Sequence, residues 1–332
     1  MIDIVCDQSW HGISGTGRYS IELSVRLKNS PEFHVREMVR ANRAGALAPI
    51  EIDFLLRKFK GASIFWSPQY MPPLHAAQRT VITVHDLLQL KYSSKIKSAY
   101  FRYILRSLFG RVDKIVTVSN FSKAEIVDWT GRSPEDVVVV PNGLSSEFFF
   151  EGEKRALRAP YFLYVGNHRP HKNLDRLIKA FSIFRNRQKC ILALTGNEND
   201  ALRTLAKELG IVDDLVFIGT PNNVELAEFY RGAVGTVYIS LYEGFGLPLI
   251  ESMACGTPII ASNIGAVSET AGDDALLVNP FDVDEIAEAF RTIFEQNETY
   301  RDFVERGLKR SQTFSWDQSF RTLTSVLTEL SK

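Results

Sequence analysis

Residues Ser240–Ser262 read S-L-Y-E-G-F-G-L-P-L-I-E-S-M-A-C-G-T-P-I-I-A-S. An apolar run of strand length, Gly235 to Ile239, leads into them. Glu243 follows in a glycine-bracketed loop, Gly244-Phe245-Gly246. Pro248 suits the first position of a helix, where its missing N–H is no loss. The spacing predicts a helix over Leu249–Cys255, closed by Gly256 as its C′ residue. Thr257-Pro258 then opens a second apolar strand, Ile259–Ala261. A loop between strand end and helix start receives free N–H groups and the positive end of the helix dipole. That environment suits a phosphate or a polar sugar.

Two carboxylates frame this loop. An acid in the first turn of a helix is favoured on electrostatic grounds alone, so Glu251 reads equally as a first-turn acid or as a ligand. Glu243 has no helix end to serve and stands as the stronger functional candidate.

The same alternation runs through the chain. In the second half, strands are expected at Tyr161–Val165, Cys190–Thr195, Leu215–Ile218, Gly235–Ile239, Pro258–Ala261 and Ala275–Val278, with helices between them. Such an order predicts a doubly wound parallel sheet in an α/β protein. Tyr161–Val165 feeds Gly166-Asn167-His168-Arg169-Pro170-His171-Lys172-Asn173, and a helix is expected over 174–187. Arg169 and Lys172 beside helix N–H groups form the kind of cation pair that binds a diphosphate. His168 and His171 lack further metal-ligating neighbours, so no metal is expected there. Asp282-Val283-Asp284 opens a helix after Asn279-Pro280 and reads as capping.

The first half begins with a strand, Ile2–Cys6, followed by Gly12-Ile13-Ser14-Gly15-Thr16-Gly17-Arg18-Tyr19 and a helical pattern to Leu27. Gly15 and Gly17 allow either a plain tight turn or a close approach to phosphate. The glycine spacing is not that of the dinucleotide fingerprint. Val81–Val84 is a further strand, and His85 stands at its end, where ligands bind in open parallel sheets. Ser122–Glu125 fits a capping box. From Lys91 to Arg111 the chain carries Lys91, Lys95, Lys97, Arg102, Arg106 and Arg111 and no acid, with Ile96, Tyr100, Phe101, Tyr103, Ile104, Leu105, Leu108 and Phe109 at helical spacing. This basic amphipathic segment fits an anionic membrane surface, or a helix packed on the sheet with a solvated rim; both readings stand.

A chain of 332 residues is long for one domain and comfortable for two. Periodicity fades between 144 and 160, which sets expected domains at 1–150 and 151–312, with 313–332 a closing helix. Net charge is zero, with bases in slight excess before residue 150 and acids after it. No nucleic-acid partner is expected. Cys6, Cys190 and Cys255 sit far apart in apolar runs and read as reduced, buried thiols of a cytoplasmic protein. The first residues do not read as a signal peptide.

Together these residues resemble the GT-B fold glycosyltransferases of family 4. Glu243 to Glu251 is similar to that family's E-x7-E signature, with a G-F-G-L-P and A-C-G-T-P core. Gly166–Asn173 resembles its donor-phosphate loop, ending P-x-K-N; Val84-His85-Asp86-Leu87 and Pro141-Asn142-Gly143 are similar to weaker motifs. The sequence departs from many members in having Asn167 after the glycine and no double glycine in the first loop.

The resemblance implies two Rossmann-like domains facing across a cleft, with the last helix crossing back to the first. It implies that Arg169 and Lys172 bind the donor diphosphate and that Gly15 and Gly17 approach it. Glu243 and the backbone of Gly244, Phe245, Gly246 and Leu247 would hold the transferred sugar, Glu251 the ribose, and His85 the sugar from the opposite wall. The implied activity is retaining hexosyl transfer without metal or cofactor. The P-x-K-N and G-T-G-R-Y variants are similar to bacterial mannosyltransferases of surface-polysaccharide assembly. They point to GDP-mannose as donor and to a glycan or lipid-linked acceptor at the cytoplasmic membrane face. A UDP-sugar donor, an epimerase or phosphorylase on the same fold, a nicotinamide oxidoreductase and a non-catalytic sugar-nucleotide binder are the alternatives.

Overall fold

The computed structural model describes residues 1–9, 15–41, 45–75, 78–185 and 188–332. Gly12, Ile13 and Ser14 of the first glycine loop, and Arg187 at the expected end of a later helix, lie outside the described residues. The chain divides into two units, Met1–Gly143 with Ser315–Lys332, and Leu144–Phe314.

The first unit is built on β1 (Ile2–Asp7), β2 (Phe33–Met38), β3 (Ile64–Ser67), β4 (Arg79–Thr83), β5 (Lys114–Thr117) and β6 (Val137–Val139). They lie in the order β2-β1-β3-β4-β5-β6, and every pair is parallel. Helices cover both faces of such a sheet, so its central strands are continuous apolar runs. All four residues of β3 are buried, as are Val81 and Ile82 of β4.

The second unit repeats the plan with β7 (Tyr161–Tyr164), β8 (Ile191–Leu194), β9 (Leu215–Phe217), β10 (Gly235–Tyr238), β11 (Ile259–Ser262) and β12 (Leu276–Val278). Their order is β12-β11-β10-β7-β8-β9, again parallel throughout. The chain starts in the middle, winds outward through β8 and β9, then returns to β10 on the other side of β7. One face is covered by the helices Leu174–Arg185 and Val283–Phe294, whose phenylalanines meet the sheet. Phe290 stands 4.7 Å edge-on from Phe162 and stacks at 5.5 Å on Phe184. Burying each such ring contributes about 2–3 kcal/mol.

Several expectations need correction. The division falls after Gly143, earlier than 150, because Phe148 is buried in the second unit's core with Tyr161 and Tyr230. The closing helix spans Trp316–Leu330. The segment 91–111 is not one helix. A helix ends at Tyr92, Ser93 is extended, and Ser94 caps Lys95–Ala99 by accepting from the Lys97 N–H. A π-helical turn, Tyr100–Leu105, and the short helix Arg106–Phe109 follow without a break. A helix unassigned from the sequence spans Ala48–Leu56. The capping box at Ser122 is also displaced: Ser119 caps the helix Asn120–Thr130, and the Ser122 hydroxyl donates to the His85 carbonyl at 3.2 Å. Asp282 does cap its helix, accepting from the N–H groups of Asp284 and Glu285.

Pro141-Asn142-Gly143 has a structural role at the end of the first unit. The Ser319 hydroxyl of the closing helix donates to the Pro141 carbonyl at 2.7 Å. Gly143 lies against the Trp316 backbone so closely that a Cβ would stand 2.2 Å from its nitrogen. Gly143→Ala should therefore push the start of the closing helix away from the Pro141–Gly143 turn. The expected cost is at least the roughly 1–3 kcal/mol of core overpacking, read as a lower midpoint in urea unfolding.

Candidate functional site

In an open parallel sheet, ligands bind outside the carboxyl ends of the strands where the winding reverses. In the second unit that place is between β7 and β10. The loop after β7 carries Arg169 and Lys172; the loop after β10 carries Glu243. Topology thus brings together two stretches that the sequence places far apart.

Lys172 and Glu243 form an ion pair there, with side chains 9% and 15% exposed. The Lys172 ammonium also donates to the Tyr238 hydroxyl at 3.0 Å and lies 5.0 Å from the centre of that ring. Burial, and then the neighbouring Glu243 carboxylate, pushes the Tyr238 phenol well above its ordinary value, so it stays protonated. His171 is buried beside them, and burial lowers its pKa against the opposing pull of Glu243. The His168 ring nitrogen Nε2 is 2.8 Å from the Thr195 carbonyl, so this ring is engaged with the backbone.

The loop after β7 is held by contacts the sequence did not announce. Pro170–Lys172 forms a single 3-10 turn, so Lys172 is not on an open loop. Asn173 follows with φ of 62°, a left-handed conformation that asparagine tolerates better than most residues. Its amide donates to the carbonyls of Ile239 at 3.2 Å and Pro280 at 2.7 Å. The asparagine of P-x-K-N therefore ties the loop after β7 to the end of β10. The Asn167 side chain accepts from the Arg169 N–H at 3.2 Å, and the Arg169 side chain is exposed. At Gly166, with φ of 155°, a Cβ would meet the Tyr164 hydroxyl at 2.6 Å.

The helix after Glu243 spans Leu247–Ala254, with Gly246 as N-cap at φ of 104°. It begins two residues before the expected Leu249, so Leu247 and Pro248 open its first turn. The first N–H groups of a helix have no intrahelical partner, and this helix starts four residues after Glu243. Phe245 is buried, edge-on to Phe314 at 5.5 Å. Glu251 lies beyond the first turn, which contains no acid, so the dipole does not explain it. It is 4% exposed and accepts from the Tyr230 hydroxyl at 3.0 Å.

Arg169, Lys172, Glu243, Gly244, Phe245, Gly246, Leu247 and Glu251 all belong to the second unit. His85, Gly15 and Gly17 belong to the first. Gly15 and Gly17 lie within the helix Gly15–Asn29 rather than in a loop before it. His85 follows β4, with Nε2 3.0 Å from the Pro68 carbonyl and its ring edge-on to Tyr19 at 4.9 Å. The residues missed from the sequence are Tyr238, Asn173 and Tyr230. Tyr238 was hidden inside an apolar run, although a hydroxyl in the last residue of a strand beside the motif is a usable signal.

Burial lowers the His85 pKa to about 4, below its ordinary value of about 6.5. The unfolded chain then takes up a proton that the folded one refuses. Stability is unaffected above pH 6.5 and is lost as pH falls from there towards 4, by about 3 kcal/mol in all. His85→Gln should flatten this acid slope of Tm against pH; an unchanged slope contradicts the burial argument.

Comparison with known proteins agrees with this geometry. The family "Glycosyl transferases group 1" matches residues 145–310, and "Glycosyltransferase Family 4" matches residues 15–148. O-antigen chain mannosyltransferase B of Escherichia coli is 28% identical over 92% of this chain and 93% of its own length. The structure of sucrose-phosphate synthase from Thermosynechococcus elongatus superposes with a TM-score of 0.85 at 20% identity, covering 99% of each chain. HepE from Anabaena, solved with UDP-glucose, superposes at 0.80 with 16% identity, covering 99% of this chain and 100% of its own. The fold is GT-B, and the chain belongs to the group 1 glycosyl transferases.

Proposed function

We propose that the chain transfers mannose from GDP-mannose to a glycan or lipid-linked acceptor in bacterial surface-polysaccharide synthesis, with retention at the anomeric carbon and without a metal. The observation that carries this reading is the Lys172–Glu243–Tyr238 cluster at the sheet's switch point, beside the N-terminus of the helix Leu247–Ala254. The mannosyltransferase relative supports the choice of sugar. The UDP-glucose complex of HepE supports a UDP-sugar as the alternative donor. An epimerase or phosphorylase on this fold is separated by whether turnover needs an acceptor hydroxyl. An anionic membrane surface met through residues 91–111, on the cytoplasmic side, belongs to the same reading.

In the reaction, the bond between the anomeric carbon and the β-phosphate oxygen breaks, and its electron pair leaves with the nucleoside diphosphate. The acceptor hydroxyl bonds to the same face of that carbon, and its proton passes to the departing phosphate. Negative charge grows on the leaving group, so fixed donors aimed at it lower the barrier. Lys172, Arg169 and the first N–H groups of the helix Leu247–Ala254 take that role. Glu243 holds a hydroxyl of the sugar, and Glu251, steadied by Tyr230, takes the ribose. Binding the donor means exchanging the Lys172–Glu243 pair for lysine–phosphate and carboxylate–sugar contacts. Tyr238 keeps hold of the ammonium through that exchange and acts as a positioning residue.

Breaking a buried ion pair from one side costs about 3–5 kcal/mol, and this pair lies near that limit by its exposure. Lys172→Met and Glu243→Gln should each lower Tm, whereas the double variant recovers much of the loss. All three should lose transfer by roughly 10²–10³-fold, as when one oxyanion donor is removed. Near-wild-type transfer in the double variant would remove the pair from the mechanism. Tyr238→Phe should fold normally and lose up to roughly tenfold in kcat/KM, the worth of one hydrogen bond. Wild-type kinetics would deny its positioning role. A thermal-shift panel of nucleoside diphosphates and their sugars tests the donor: GDP-mannose is expected to raise Tm most, and a larger shift with a UDP-sugar selects the alternative.

A further inference from the structure

The loop after β10 is held at two points. At Gly246 its backbone runs close to the strand end and the next helix: a Cβ there would stand 3.4 Å from the Tyr238 ring and 2.9 Å from Leu249. The second hold is Phe245, which is buried and meets the Phe314 ring at 5.5 Å with 86° between the planes. Phe245 stands between two glycines. Glycine has little preference of its own for any backbone conformation. The directions of the N–H groups from Gly244 to Leu247 therefore depend on what fixes the Phe245 side chain.

Phe314 is itself fixed. It follows the helix Glu298–Ser311, and the N–H groups of Thr313 and Phe314 donate to the carbonyls of Arg310 at 2.9 Å and Ser311 at 3.2 Å. The Arg310 guanidinium lies 5.7 Å from the centre of the Phe314 ring. That guanidinium is locked in turn. It donates to the carbonyls of Thr270 at 2.6 Å and Glu269 at 2.7 Å and pairs with Asp274 at 3.5 Å. Phe314 is only half-buried, so its ring is not there to fill a core. It is also the last residue of the second unit, and Leu144 is the first. The Leu144 N–H donates to the Phe314 carbonyl at 3.1 Å. The two ends of the unit thus meet at the residue whose ring holds the loop.

We propose that Phe314 is a positioning residue for the sugar end of the donor. It acts through Phe245: its ring, backed by Arg310, sets the N–H groups of Gly244–Leu247 and the Glu243 carboxylate two residues before Phe245. Groups fixed in advance need no ordering on binding, and that saving appears as affinity. Affinity for the sugar then depends on the residue at which the chain leaves the unit. The inference rests on the reading of this loop as the one that holds the transferred sugar.

The test compares GDP with GDP-mannose on the full chain by titration calorimetry, or UDP with UDP-glucose if the thermal-shift panel selects uracil, alongside steady-state kinetics. Phe314→Ala should weaken GDP-mannose by roughly three- to tenfold, the worth of one aromatic edge contact, and raise the donor KM by the same factor. GDP itself, held by Lys172, Arg169 and a helix whose Leu249 and Ile250 are buried, should bind as in wild type. The acceptor KM should not change. Phe314→Tyr keeps the ring edge and should behave as wild type, whereas Phe314→Leu keeps only the apolar bulk and should resemble the alanine variant. Equal weakening of GDP and GDP-mannose would reduce Phe314 to a structural role and overturn the proposal. Wild-type GDP-mannose affinity in Phe314→Ala or Phe314→Leu overturns this inference alone. Failure of the wild-type chain to bind either nucleotide sugar overturns the transferase reading beneath it.

Discussion

The pairing of Lys172 with Glu243 is the constraint on which the second unit turns. Neither charge tolerates a nearly dry site alone, and each is supplied by a different strand. The pair can form only if β7 and β10 are neighbours in register, with Gly235 against Phe162 and Thr236 against Leu163. That adjacency is the reversal point of the doubly wound sheet. The contacts around it repeat the same tie in neutral form. Asn173 reaches from the end of one loop to the first carbonyl past the other strand, that of Ile239, and Tyr238 accepts from the ammonium. Fold and site are thus specified by the same few bonds.

The arrangement also explains how two nearly buried charges are kept stable. An ammonium and a carboxylate this deeply buried would each carry a desolvation cost if left unpaired. Facing each other, they satisfy one another. On the proposed function, an anionic diphosphate would compete for the ammonium, and sugar hydroxyls would offer donors to the carboxylate in return.

Much of this is legible in the sequence. Ser240–Ser262 encodes strand, glycine loop, helix and strand within one short stretch, so local rules suffice to place Glu243 at a strand end. The loop carrying Lys172 was legible for the same reason. The partners of those residues were not. Tyr238 looks like one more apolar strand residue until parallel pairing sets it beside Lys172, and Asn173 looks like a helix start until its amide is seen to bridge the segments that follow β10 and β12. The segment after Lys91 has helical periodicity throughout, and nothing in that periodicity reveals the extended Ser93 or the wide turn at Tyr100–Leu105. The helix Ala48–Leu56 is apolar on both its inner and outer faces, which erases the periodicity that would have announced it.

The central claim is that the nucleotide sugar is held where β7 and β10 end. Hydrogen–deuterium exchange on the full chain, with and without the nucleoside diphosphate that shifts Tm most, locates the site directly. The account predicts protection concentrated in residues 165–174 and 241–251. Protection elsewhere in the chain, with these two stretches unchanged, would contradict it.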